Sequence, residues 1–413
     1  MNIVGLLESV GRDFRNVLRS LRGSPGLTAL AVVTLAIGSG AATATFAVIN
    51  SVLLEPLPYP NADRLVSIWH VAPGAEGEIW ANSMLASASM FFTYAEANRV
   101  FEHIGAWTPG VATVTGDGEP EELPRVAVGG GTLEALGVSP LLGHWFGTEE
   151  LRAGAAETVM LSYGYWQRRF GGDPAVVGRT LTVNAQPAKI IGVMPAGFRV
   201  ADKNADLLLP LRFDRASLML GQFAFYGIAR LKPGKTVADA NADIARMIPI
   251  WLASWPALPG TDASTYSDVW HIAPSVRPLK QDVVGKAGEL LWLAMAAIGV
   301  VLLIACANVA NLMLIRNTAR QHEFAVRAAL GAGALRLSSA LMLEGMTVGL
   351  LGGSVGVAMA AMGLRWLLPL APADLPRLGE VGLDAKVIAI ALAVSSLAGL
   401  IIGLVSLVRI GAA

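Results

Sequence analysis

The residues able to do chemistry in this 413-residue sequence are few and scattered. Five histidines (His70, His103, His144, His271 and His322) show no spacing that would gather them around a metal. A single cysteine, Cys306, lies inside an apolar run, so no disulfide framework exists. Between residues 54 and 287 there is no nucleophile elbow, no phosphate loop and no paired Cys or His. The whole chain lacks G-x-x-x-x-G-K-[ST], which excludes ATP hydrolysis by a P-loop. Asp117, Glu119, Glu121 and Glu122 form an acidic cluster that reads as a solvated loop rather than an acid–base pair. Trp69, Trp80, Trp107, Trp145 and Trp166 read as core. No catalytic, cofactor-binding or metal-ligating residue is expected, and the chain reads as no enzyme.

The elements that carry these residues explain the poverty. Only 15% of the chain is charged and 54% is hydrophobic, against about 25% charged in ordinary soluble domains. Net charge is zero, which gives no footprint for nucleic acid. No charge occurs between Arg22 and Glu55, Glu289 and Arg316, Glu344 and Arg365, or Lys386 and Arg409. Each gap holds the roughly 20 residues that a membrane helix needs. The spacing predicts spans at 27–53, 289–315, 340–364 and 387–408. The first begins too deep in the chain and runs too long for a cleaved signal sequence.

Lys and Arg in the short flanks set the orientation. Arg12, Arg15, Arg19 and Arg22 precede the first span, Arg316, Arg320, Arg327 and Arg336 lie between the second and third, and Arg409 follows the fourth. Both termini and the 316–338 loop are therefore expected in the cytoplasm, with a 409–413 tail. Residues 54–287 and the 365–386 loop are expected on the other side. Within residues 1–26, Ile3, Leu6, Leu7, Val10, Phe14, Val17, Leu18 and Leu21 recur at helical spacing with arginines opposite. That pattern predicts an amphipathic helix, lying on the membrane surface or packed against protein.

After the stiff, proline-rich exit Glu55–Asn61 the composition turns mixed. Thr158–Leu161 reads as a strand, and Ser162 as the cap of a helix over Tyr163–Phe170 that Gly171 and Gly172 end. Arg179–Val183 and Ala188–Val193 read as a hairpin around Asn184–Pro187. Ala205–Leu211 and Ile228–Leu231 read as strands, and Thr236–Trp251 as a helix. Short strands mixed with helices imply an α+β domain inserted between the first and second membrane helices.

Two further stretches stand out. Arg320–Leu330 has good helix formers, with Glu323 four residues before Arg327 and Gly331 and Gly333 as a stop. Such a helix is either a docking element for a groove in another protein or a solvated turn. Inside the spans, Asn308 and Asn311 sit three apart, while Gly349, Gly352, Gly353 and Gly356 give a G-x-x-x-G spacing. Amides and small residues of this kind predict tight helix packing or a dimer face rather than an aqueous pore.

Taken together, these stretches resemble the MacB/FtsX-like ABC transporter permeases, and most closely the duplicated orphan permeases typical of acidobacteria. The resemblance lies in Arg22-Gly23-Ser24-Pro25-Gly26, Val52–Pro60, Asp63–Val66, Leu136-Gly137-Val138, Tyr165–Val177, Gly192–Phe198, Arg230–Gly234, Leu303–Leu312, His322–Gly333 and Leu351-Gly352-Gly353. It implies four transmembrane helices with a MacB-type periplasmic core domain between the first two, in a bacterial inner membrane. It implies a permease subunit, paired with a cytoplasmic ABC ATPase or a second permease unit, whose motion reaches the periplasmic domain for efflux or mechanical work. The segment matching the family's ATPase-contacting stretch contains Glu323, Phe324, Arg327 and Gly331. Those orphan permeases carry two such units, and this chain holds one. The alternative is accordingly a structural or accessory subunit, derived from such a permease and bound in a larger membrane complex.

Overall fold

The computed structural model describes residues 19, 21–116, 118–285, 287–319, 334–368, 377, 379 and 381–411. Among the described residues there are nine α-helices: α1 (Pro25–Ile49), α2 (Ala88–Ala97), α3 (Thr132–Leu136), α4 (Tyr163–Phe170), α5 (Val237–Ser254), α6 (Leu279–Val284), α7 (Ala287–Ala319), α8 (Ala334–Leu367) and α9 (Ala385–Gly411). Ten strands lie between α1 and α6: β1 (Leu65–Val71), β2 (Phe101–Gly116), β3 (Gly118–Val128), β4 (Leu142–Gly143), β5 (Thr158–Leu161), β6 (Thr180–Val183), β7 (Gln186–Val193), β8 (Leu207–Pro210), β9 (Tyr226–Leu231) and β10 (Ala273–Pro278). The chain divides into a helical unit, residues 1–55 with 286–413, and an inserted unit, residues 56–285.

Among the described residues of the helical unit, four helices are long and apolar enough to cross a membrane, over Pro25–Leu54, Ala287–Thr318, Leu341–Leu367 and Ala385–Val405. Pro25 opens α1, where its missing N–H is no loss. The last turn of this span, Asn50–Leu54, widens into a π-turn. Helix ends do not coincide with the ends of the apolar runs: α7 continues to Ala319, and α8 already begins at Ala334. Bilayer thickness limits the apolar length, whereas a helix continues into the polar flank until something stops it. The amphipathic helix expected over 1–26 and the helix expected over Arg320–Leu330 fall largely and wholly, respectively, outside the described residues.

The inserted unit is α+β. Its mixed sheet runs β10-β1-β9-β2-β3-β8-β5-β7-β4, with β6 joined to both β2 and β7. Only β3/β8 and β5/β7 are parallel. One core lies around Met90, Tyr94 and Trp251, contributed by α2 and α5, and a second around Leu65, Trp107, Val126 and Leu208. Local signals act where chemistry is local. The Ser162 hydroxyl accepts from the Tyr165 N–H at 3.1 Å, and Gly171 ends α4 at φ 61°. Thr236 and Asp239 form a reciprocal capping box on α5.

Two readings change. The β6–β7 turn is only Asn184 and Ala185, both with positive φ (50° and 64°). These give the two-residue turn that matches strand twist, so β7 starts at Gln186 and takes Pro187 opposite Thr182. The acidic cluster is no loop: Glu119, Glu121 and Glu122 lie on β3, the last two opposite Val114 and Thr113 of β2. Asp117 falls outside the described residues.

Candidate functional site

Helix α8 has two glycine faces. On one, Gly352 and Gly356 meet α1. A Cβ on Gly356 would lie 2.2 Å from Ser39 Oγ and 2.9 Å from the Ala36 carbonyl oxygen, and one on Gly352 would lie 2.9 Å from the Leu35 Cβ. The Ser39 hydroxyl donates to the Gly352 carbonyl at 3.3 Å. On the other face, Gly345, Gly349 and Gly353 meet Ser395, Gly399 and Gly403 of α9. A Cβ on Gly345 would sit 2.4 Å from the Gly399 carbonyl oxygen, and one on Gly399 2.5 Å from that of Gly345. With lipid on the outside there is no hydrophobic gain from association, so close backbone contact supplies the attraction.

Asn308 and Asn311 lie elsewhere. The buried residues of α7 are Ala305, Cys306, Val309, Ala310, Met313, Arg316 and Asn317, whereas Asn308 and Asn311 are exposed and bonded to no described residue. This helix is the least covered of the spans, 11% buried over its most apolar stretch against 39–44% for the others. Glu323, Phe324, Arg327 and Gly331 fall outside the described residues.

The end of the first span is held by a residue that sequence reasoning passed over. Arg377, buried and at φ 59°, donates from Nη1 to the Glu55 carbonyl at 3.0 Å and reaches that of Val52 at 3.5 Å. Asn50 donates from Nδ2 to Glu55 Oε1 at 2.8 Å, and the Glu55 N–H donates to the Asn50 carbonyl at 2.8 Å. A helix end leaves carbonyls without N–H partners, and a guanidinium carries donors enough to satisfy several. The only local hint was a lone arginine after Pro376 in a loop of mixed charge.

Residues 28–247 match the family model of the MacB-like periplasmic core domain, and residues 295–412 match that of the FtsX-like permease C-terminal region. The chain belongs to the MacB/FtsX-like permease family. The macrolide export ATP-binding/permease protein MacB of Chromobacterium violaceum is 28% identical over 239 residues, covering 57% of this chain and 34% of that protein. Its namesake in Escherichia coli O157:H7 is 25% identical over 283 residues, covering 67% and 40%. The match thus spans about two fifths or less of these relatives' length. Among solved structures, the periplasmic region of MacB from Actinobacillus actinomycetemcomitans aligns at TM-score 0.39 and 11% identity, over 55% of this chain and 94% of that one. The extracellular domain of the noncanonic ABC-type transporter YknZ aligns at TM-score 0.32 and 12% identity, over 44% and 91%.

In this permease the periplasmic core domain holds one fully buried titratable pair. His70 Nε2 lies 2.8 Å from the Tyr94 hydroxyl, and its Nδ1 has no partner among the described residues. Burial pulls the His70 imidazole down to about 4 and pushes the Tyr94 phenol up. Burial also raises the Asp282 carboxyl, against opposing hydrogen bonds from Trp69 and Ser67 and the nearby charge of Arg277. Among the described residues, no three His, Cys, Asp or Glu side chains are grouped to hold a metal. Arg230, nearly buried, donates to the carbonyls of Ala135 (2.7 Å), Leu136 (3.3 Å) and Asn61 (3.2 Å), where it closes the end of α3.

Proposed function

We propose that the chain is the permease subunit of an ABC transporter, moved by a separate cytoplasmic ATPase, with both termini in the cytoplasm and residues 56–285 in the periplasm. The ATPase docks on the loop containing Glu323, Phe324, Arg327 and Gly331. Displacement of that loop moves α8, which begins directly after it. The glycine seams oblige α1 and α9 to follow, and the chain passes from α1 into the core domain through Glu55 and Pro56. The observation that carries this reading is the pair of seams on α8: backbones in direct contact slide or tilt together, because they have no flexible side chains between them. Seams this close also leave no aqueous lane between α1, α8 and α9, which favours mechanical work on the periplasmic side over passage of a solute among these helices.

Co-purification from native membranes in mild detergent tests the proposal. An ATP-binding subunit is expected with the unaltered chain and is expected to be lost when Glu323 and Arg327 are both replaced by alanine. Retention of the ATPase by that variant overturns the docking role. A stable complex with no ATPase overturns the whole reading.

A further inference from the structure

Helix α6 is the last element of the core domain, and it is too short to stand alone. It has 6 residues, Leu279–Val284, and no side-chain cap at its N-terminus, where Pro278 stands. Isolated helices shorter than about 12–15 residues are marginal in water, so α6 is a helix only while it is docked. Two apolar side chains one turn apart seat it: Leu279 and Val283 are buried in the core around Leu65, Trp107, Val126 and Leu208. Helix α5 is the contrast. It has 18 residues, a reciprocal capping box, and Ala240, Ile244, Met247, Ile248 and Trp251 all buried.

The third docking group is polar and imperfectly matched. Asp282 Oδ1 lies 3.6 Å from Nε of Arg277 on β10, and the side chains of Trp69 and Ser67 on β1 hydrogen-bond the carboxyl. The Arg277 guanidinium lies over the Trp69 ring, 5.0 Å from its centroid. Its Nε is buried and donates to no described residue, because 3.6 Å is too long for a hydrogen bond. Burial holds the Asp282 carboxyl above the ordinary carboxylate range, against Trp69, Arg277 and Ser67 and with the charge of Asp202 adding to the rise. The ionised form is therefore seated less well than a neutral group would be. At its far end α6 stops on Gly285, at φ 51° and ψ −141°, a conformation open to glycine without steric cost, and α7 starts at Ala287.

We propose that α6 is a releasable strap: it detaches from β1 and β10 and unwinds while the rest of the core domain stays folded, which lengthens the chain between β10 and α7. Six residues span about 9 Å as a helix and about 20 Å when extended, so release adds about 11 Å of reach. Local opening of this kind belongs to segments with few buried contacts, and α6 has two buried side chains. Leu279 and Val283 favour the docked state, and the ionised Asp282 keeps that hold weak. The strap is a property of the core domain and stands apart from whether an ATPase drives the chain.

Hydrogen exchange of the intact, detergent-purified chain at neutral pH tests it. The Gly285 N–H, which donates to the Gln281 carbonyl at 2.9 Å, and the amides of Val283 and Val284 are expected to exchange at least about tenfold faster than those of Ile244–Trp251 in α5. Leu279→Ala is expected to quicken exchange at 283–285 about tenfold further and to leave α5 unchanged. Asp282→Asn keeps an oxygen for Trp69 and Ser67 and touches no apolar contact. It is expected to slow exchange at 283–285 about threefold. Exchange at 283–285 as slow as in α5, equal quickening of both helices by Leu279→Ala, or exchange at 283–285 that is unchanged or faster in Asp282→Asn would each overturn the assignment.

Discussion

Arg377 donates to the backbone carbonyl of Glu55 at 3.0 Å, across 322 residues of sequence. This contact joins the loop before α9 to the last turn of the first span, immediately before the chain enters the core domain at Pro56. Replacing Arg377 by alanine removes charge-assisted donors from a buried helix end, a change worth about 2 kcal/mol. Thermal unfolding of the detergent-solubilised chain is expected to shift downward for Arg377→Ala and only partly for Arg377→Lys. A melting curve unchanged in the alanine variant would show that the clamp contributes nothing.

The α1–α8 seam predicts a contrast between two glycines of one helix. Gly356→Ala places a methyl 2.2 Å from Ser39 Oγ and 2.9 Å from a backbone oxygen, so the helices must separate. The expected loss is about 1–3 kcal/mol. Gly363, in the same helix, has open space around its Cβ position. There Gly363→Ala is expected to be neutral or to stabilise by about 0.5–1 kcal/mol through helix propensity. Equal melting temperatures for the two variants would contradict the close approach.

His70 predicts a pH dependence of the core domain. Unfolded, the imidazole takes a proton near 6.5; folded, it resists until about 4. Between those values the unfolded chain binds more protons, so acid favours unfolding. The contribution is complete above pH 6.5 and falls away as pH drops toward 4, by about 3 kcal/mol over the full window. Chemical denaturation followed by tryptophan fluorescence at pH 7.5 and 4.5 is expected to show this loss, and a smaller one in His70→Gln.

The α5 cap gives a local test. Thr236 accepts from the Asp239 N–H at 3.2 Å, and the Asp239 carboxylate accepts from the Thr236 N–H at 2.9 Å. Thr236→Ala removes the hydroxyl arm, leaves the backbone N–H arm to the Asp239 carboxylate, and is expected to cost about 1 kcal/mol. Hydrogen exchange is expected to quicken first at the amides of Val237–Ala240, ahead of the Trp251 end; uniform quickening along α5 would instead indicate global destabilisation.

What the sequence by itself determined is what a short window or a bilayer dictates. Four charge-free gaps marked the four spans, because lipid tolerates neither charge nor an unsatisfied backbone over that thickness. Ser162 and Gly171 marked helix ends, because caps bind backbone within three or four residues. Family-length motifs located the inserted α+β domain. The tertiary structure decided everything that depended on which face meets which. Gly349 and Gly353 face α9, whereas Gly352 and Gly356 face α1. A four-residue spacing is the same for either seam, and only the rotation of the packed helix separates them. The long β2–β3 hairpin was hidden because Pro109, Gly110 and Pro124 spoil strand propensity, yet β9 and β8 pair on its two sides and hold it extended. Arg377 gave only the hint of an arginine after Pro376 in a loop of mixed charge: its partners are backbone carbonyls, and a carbonyl looks the same in every residue until the fold leaves it without a donor.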